Sequence, residues 1–314
     1  MKTEKRQIID RKKLKITTSF LIVVLIVSFF SLIFSDKNLT DSGIVTAEKI
    51  KSEEKKYSEK IDLDTVLPDS IKDNITEKAL PEFKGYVAII MDDLGYGHEN
   101  RYNLFEKLKG FKLTMSIIPH THNAVNAEKN STEAGFENML HIPMQAKGLS
   151  NQYENEIRVD MKHDELYESL ENMLSSFESI KGANNHMGSM ATADKKTMVN
   201  VLAFLKKRNL FFIDSLTTNQ TVVEEVSNLL DLEYHGRDIF LDNIAEENYI
   251  RSQFEKVKSV AARKGYAIAI CHVREKTIET LQKILPELEN SGEYKLVFVS
   301  ELIKDKKKFS VSKL

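Results

Sequence analysis

Asp92 and Asp93 stand side by side at the end of an apolar run, YVAIIM at 86–91. The same juxtaposition recurs along the chain. His141 ends NMLH at 138–141, His186 ends KGANNH at 181–186, and Asp214 follows LFFI at 210–213. Arg237 and Asp238 open RDIFL at 237–241, with Asp242-Asn243 behind it, and His272 follows YAIAIC at 266–271. Singly, each has an ordinary explanation. An aspartate behind a strand usually caps the next helix, and a lone histidine packs more often than it ligates. Paired carboxylates with histidines at three other strand ends suit a mononuclear metal hydrolase. A carboxylate and two neutral imidazoles form an N/O donor set matched to zinc and tolerant of other divalent first-row ions. Such a site leaves room for water and substrate. The neighbouring carboxylate can take a proton from the activated water, and a separate imidazole can protonate a leaving amine.

Other residues are read more plainly. Cys271 is a small buried hydrophobe. Gly95-Tyr96-Gly97 lacks the third glycine of a dinucleotide fingerprint and marks a turn. His120-Thr121-His122 has a metal-like spacing but follows Pro119 in a polar loop, so it is read as loop.

Something must bring these scattered groups together. The apolar runs are short and β-branched: 86–91, 112–118, 210–213, 266–271 and 295–299, with weaker ones at 138–141, 181–186 and 237–241. Amphipathic helical patterns lie between them, as at 163–180 and 195–208. Continuous apolar strands alternating with helices predict a parallel sheet covered on both faces. Seven or eight such units predict an α/β fold closed into an irregular (β/α) barrel, with an open doubly wound sheet as the alternative. In either, the loops at the carboxyl ends of the strands share one face, and the residues above all sit there.

The chain has 314 residues, 45 Lys+Arg against 47 Asp+Glu, one Cys and no Trp. That balance excludes a disordered chain and gives no general attraction to nucleic acid. One cysteine excludes a disulfide framework and a Cys-based zinc cluster. Residues 16–35 carry no charge, Pro or Gly. At about 1.5 Å per residue they span roughly the hydrocarbon core of a bilayer. Residues 1–15 hold seven basic and two acidic side chains, which places them on the cytoplasmic side and the remainder outside. A cleaved signal peptide is the rival reading. The length of the run and its LIFSD ending favour an uncleaved single-pass anchor in the cell membrane. Residues 36–81 are dominated by Lys, Glu, Asp and Ser and read as a charged tether. The expected organisation is a cytoplasmic segment (1–15), an anchor (16–35), a linker (36–81) and one extracytoplasmic domain (82–314).

The runs VAIIMDDLG, LHIPM, NNHMGS, FFIDSLT, RDIFLDN and AIAICHVREKTIETL, in that order, resemble the divergent polysaccharide deacetylase family, which is similar to the larger NodB-like carbohydrate esterases. The resemblance covers about 84–304. It implies an irregular barrel, a divalent metal such as zinc, a glycan substrate, and hydrolysis of a carbon–nitrogen bond in an N-acetylated polysaccharide or cell-wall glycan. By position, Asp92 corresponds to the family's base and Asp93 to its metal-binding aspartate. The usual His-x-x-x-His pair is absent, because His141 is followed by Ile142, Pro143, Met144 and Gln145. His141 and His186 are then the expected imidazole ligands. His272 in Ile270-Cys271-His272 matches the acid. Arg237 is the nearest match to the arginine that orients the base, and Asp214 and Asp238 are expected to align the catalytic groups from behind. The alternative function is a glycan- or protein-binding envelope module that keeps the fold without turnover. A metal-free glycoside hydrolase built on Asp92 or Asp93 with Asp214 is weaker, since it leaves the histidines idle.

Overall fold

The computed structural model describes residues 82–96, 102–149, 153 and 155–304. The expected cytoplasmic segment, anchor and tether all lie outside the described residues. Among the described residues no helix is long and apolar enough to cross a membrane.

Among the described residues, eight parallel strands alternate with helices: β1 (Gly85–Leu94), β2 (Thr114–Ile117), β3 (Glu137–Met144), β4 (Ile180–Met187), β5 (Phe211–Ile213), β6 (Ile239–Phe240), β7 (Tyr266–His272) and β8 (Tyr294–Leu296). The helices are α1 (Tyr102–Phe105), α2 (Ala124–Glu133), α3 (His163–Leu174), α4 (Lys195–Lys207), α5 (Val223–Leu229), α6 (Glu247–Lys264), α7 (Glu275–Ser291) and α8 (Val299–Lys304). Seven strands follow the order β5-β4-β3-β2-β1-β7-β6, and β8 pairs with the start of β1. From β1 to β5 each strand lies beside its predecessor, and the chain then passes from β5 at one edge to β6 at the other. The sheet curls into a half-barrel. Its two edges meet at one isolated bridge, Asp214 to Gly236, so closure is far less complete than in a regular barrel.

Side chains alternate along a strand, and this divides the core. Val87, Ile89 and Met91 of β1, with Met115, Ile117, Ala267 and Ala269, pack outward against Phe254 and Val257 of α6 and Leu281 and Leu285 of α7. Ala88 and Ile90 instead join Met139, Ile213, Ile268 and Ile270 inside the curl. A third cluster packs β3 and β4 against Leu166 and Leu170 of α3 and Val201 and Leu205 of α4.

Two boundaries differ from the sequence expectation. The helical pattern at 163–180 stops at Leu174, because buried Glu128 captures the next segment. Its Oε1 accepts hydrogen bonds from the backbone N–H groups of Glu178 and Ser179 and from the Ser179 hydroxyl. The strand expected at 295–299 ends at Leu296. Val299 and Ser300 turn into α8 and donate their backbone N–H groups to Thr114 Oγ1 and Glu137 Oε1, side chains that satisfy the first-turn donors of that helix.

Candidate metal and catalytic site

The alternation that buries Ala88 and Ile90 inside the curl carries Asp92 to the same face, above Ile90. By the same parity Ser116 of β2, His141 of β3, Asn184 and His186 of β4, and His272 of β7 face inward at the carboxyl ends of their strands. Asp93 breaks the rule, since regular alternation would send it outward. It adopts φ 66°, and the β1–β2 register shifts between Met91 and Leu94. Aspartate tolerates this left-handed geometry better than most residues, and the bulge delivers a second carboxylate to the inner face.

There Asp93 Oδ1 lies 3.3 Å from His141 Nε2 and 3.1 Å from His186 Nδ1. The two ring nitrogens are 3.1 Å apart. These three residues are the one group among the described residues able to share a metal ion. A cation held tetrahedrally at about 2.0–2.1 Å needs ligand atoms about 3.3–3.4 Å apart, and octahedral geometry brings them to about 3.0 Å. The triangle has that size.

Its chemistry agrees. Asn184 Nδ2 donates to Asp92 Oδ1 at 2.9 Å, which turns its carbonyl Oδ1 toward His141 Nδ1 at 2.8 Å. His141 Nδ1–H therefore donates there and leaves the Nε2 lone pair in the site. His186 Nε2 is 2.7 Å from the Tyr153 hydroxyl. With that nitrogen donating, His186 Nδ1 also presents a lone pair. Asp93 Oδ1 is buried with no hydrogen-bond partner. Three acceptors thus converge without a donor, an arrangement that a cation or added protons must neutralise. Where added protons rather than a cation fill the triangle, burial would raise the Asp93 carboxyl, but hydrogen bonds and charge from the His141 and His186 side chains override it and hold the group far below the usual carboxylate range. Burial would lower His141. Asp92 and Asp93 outweigh it, and the net shift is upward. The residues present fit a divalent ion.

Two further groups flank the triangle. Asp92 is 3% exposed, and its Oδ2 lies 3.6 Å from His141 Nε2. Burial foremost, and Asp93 after His141, shift its carboxyl, with a net rise. His272 is the register partner of Asp92 on the adjacent strand, and its Nε2 lies 4.0 Å from Asp93 Oδ2. Its Nδ1 contacts Asp242 Oδ1 at 2.9 Å. Asp242 Oδ2 also accepts from the His272 backbone N–H at 2.9 Å and the Thr277 hydroxyl at 2.8 Å. Burial opposes charge on both members of this pair, yet their mutual hydrogen bond raises His272 and lowers Asp242.

Of the three supporting residues expected from sequence, Asp214 and Asp238 sit elsewhere, whereas Arg237 lies near enough for its charge to act on Asp92. Asp214 spends Oδ1 on the Leu216 backbone N–H and Oδ2 on the Thr221 hydroxyl. Asp238 pairs with Lys264 and accepts the Ile268 backbone N–H. Both are local fasteners, and the carboxylate behind His272 is Asp242. Arg237 Nε donates to the Ser215 carbonyl at 2.9 Å, and its guanidinium stacks 3.7 Å over the Phe240 ring. The direct hydrogen bond to Asp92 comes from Asn184 rather than from Arg237. His120 and His122 are exposed on the loop after β2. The sequence places Asp242 at a strand end without a role, and Asn184 and Tyr153 are participants that sequence reasoning passed over.

The chain is 28% identical to the uncharacterised protein YibQ of Escherichia coli (strain K12) over 208 residues, which is 66% of this chain and 65% of YibQ. It thus spans a little under two thirds of that protein. An uncharacterised protein of Haemophilus influenzae is 29% identical over 64% of this chain and 71% of its own length. Among solved structures, an uncharacterised protein from Agrobacterium tumefaciens C58 superposes with a TM-score of 0.67 at 19% identity, covering 71% of this chain and 91% of that one. That likeness concerns the fold. The sequence model of the divergent polysaccharide deacetylases matches residues 89–303, well over half of the chain. The chain belongs to the divergent polysaccharide deacetylase family.

Proposed function

We propose that this protein is a membrane-anchored, extracytoplasmic, metal-dependent hydrolase that removes acetyl groups from an N-acetylated polysaccharide such as cell-wall glycan. The observation that carries the reading is the donor-free triangle of Asp93 Oδ1, His141 Nε2 and His186 Nδ1, flanked by a buried carboxylate and a carboxylate-backed imidazole. The charge-free run at 16–35 and its basic flank support the anchor and the orientation. The domain beyond the tether, 82–314, carries the site.

Asp93, His141 and His186 would hold the ion, with zinc favoured by the mixed N/O set. When bound, such an ion supplies Lewis-acid polarisation of the acetamide carbonyl and acidifies a water molecule. Asp92 takes the proton from the attacking water. Its burial suits it to that role, because a raised carboxyl is a stronger base. His272 carries its proton on Nε2 toward the departing amine, and Asp242 fixes Nδ1–H and stabilises the positive ring. Tyr153 and Asn184 orient the two imidazoles from behind.

The test is metal analysis of the purified full-length chain, together with acetate release from chitin oligomers and peptidoglycan before and after chelation. One bound zinc per chain and chelator-sensitive acetate release are expected. Zinc binding without release from any N-acetylated glycan would instead point to the binding-module alternative, and absence of both would overturn the proposal.

A further inference from the structure

Asn184 is 0% exposed and uses the full capacity of a carboxamide. Its Oδ1 accepts from Ser116 Oγ at 2.5 Å and from His141 Nδ1 at 2.8 Å. Its Nδ2 donates to Asp92 Oδ1 at 2.9 Å and to Ser215 Oγ at 3.2 Å. A flipped amide would turn its NH2 toward the Ser116–His141 side and its oxygen toward the Asp92 carboxylate, so the network admits one orientation. One amide thus grips an imidazole of the triangle and the carboxylate beside it.

We propose that Asn184 is the positioning residue that sets both halves of the site, its carbonyl fixing His141 as an ion ligand and its amide nitrogen fixing Asp92 as the base. This rests on the deacetylase reading for the turnover half. The ion-binding half stands independently. The carbonyl selects the His141 tautomer whose Nε2 lone pair faces Asp93 and His186. The amide nitrogen occupies Asp92 Oδ1 and leaves Oδ2 turned toward the triangle, 3.6 Å from His141 Nε2. The group in direct contact with Asp92 is thus a neutral donor, and the charge of Arg237 acts on it only from farther away. Ser116 and Ser215 prevent the amide from rotating.

Two substitutions separate these duties from simple packing. Asn184→Asp keeps the shape and still accepts from His141 and Ser116. Toward Asp92 it presents a second carboxylate, which either repels the base or shares its proton, and both outcomes remove the free base. In the full-length chain in detergent, N184D is expected to bind zinc within about threefold of wild type, since carboxylate–histidine pairs are ordinary supports for ligands. Its rate of acetate release should fall at least about 100-fold, the lower bound for losing a general base. Asn184→Ala should weaken zinc binding about 10–100-fold. It should also convert His141 from a single Nδ1–H tautomer to a mixture, read by 15N NMR of histidine-labelled zinc-free protein.

The split is the diagnostic. Parallel loss of zinc affinity and turnover in N184D, or full retention of both, would overturn the proposal, as would an unchanged zinc Kd and tautomer in N184A. If N184A fails to fold, by circular dichroism, the isosteric N184D carries the test. A wild-type protein that binds zinc but releases no acetate would sink the deacetylase reading alone, while the zinc and tautomer measurements would still judge Asn184.

Discussion

Replacing Asp242 by asparagine should stop the chemistry while leaving the ion site whole. Asp242 accepts three hydrogen bonds, from His272 Nδ1, the His272 backbone N–H and Thr277 Oγ1. Asparagine has one oxygen to offer. If that oxygen serves the backbone N–H and the threonine, the new NH2 faces His272 Nδ1, which must then give up its proton. The ring is forced into the Nε2–H tautomer and cannot become a stable imidazolium. General acid catalysis is worth about 10²–10⁴-fold, and misassignment of a histidine tautomer of this kind costs about as much. Loss of a charge-assisted hydrogen bond at a buried group should also cost about 1.5–3 kcal/mol of stability. The assay is acetate release from the zinc-loaded D242N protein, alongside its zinc Kd and urea unfolding followed by circular dichroism, since the chain has no Trp. Turnover reduced at least about 100-fold at unchanged zinc affinity is expected. Activity within about threefold of wild type would refute the assignment of His272 as the acid, because the acid would lack its required support.

Three other outcomes follow from the same geometry. His186→Ala removes one corner of the triangle, and zinc content after dialysis should fall below half of wild type with turnover lost; full zinc content would exclude His186 as a ligand. Tyr153→Phe deletes the hydroxyl behind His186, so zinc Kd should rise about tenfold with little change in fold; an unchanged Kd would mean that the loop leaves that ring unsupported. His235 is 3% exposed, with neither ring nitrogen hydrogen-bonded and Glu233 3.7 Å away. Burial foremost, then Lys264, lowers its pKa from 6.5 to about 4. Because the unfolded chain takes up this proton first, the stability contribution is complete above pH 6.5 and is lost as pH falls toward 4, by about 3 kcal/mol. His235→Leu should remove that part of the acid sensitivity in urea titrations at pH 7 and pH 4. Equal pH dependence in both proteins would show instead that Glu233 pairs with the ring.

The strands were legible because short β-branched runs between amphipathic helices leave few alternatives, and period-two alternation then places 92, 141, 186 and 272 on one face. Less visible was which strand-end carboxylate meets which imidazole, since that depends on strand order. β6 lies beside β7, so Asp242 behind it reaches His272, whereas Asp214 follows β5 at the far end of the strand order. Asp93 needed a bulge that no propensity announces. Asn184 reads in sequence as an ordinary polar residue, and only its parity with His186 hinted at its place. Tyr153 arrives from the long β3–α3 connection, whose course no local pattern fixes.

The departure from a paired-histidine loop has a mechanical consequence. Asp93, His141 and His186 belong to β1, β3 and β4, and β2 is clamped between the first two. An ion seated among them would act as a rivet through four neighbouring strands. Loading should therefore slow amide hydrogen exchange across β1–β4, far from any sugar, and the emptied protein should loosen first along that seam.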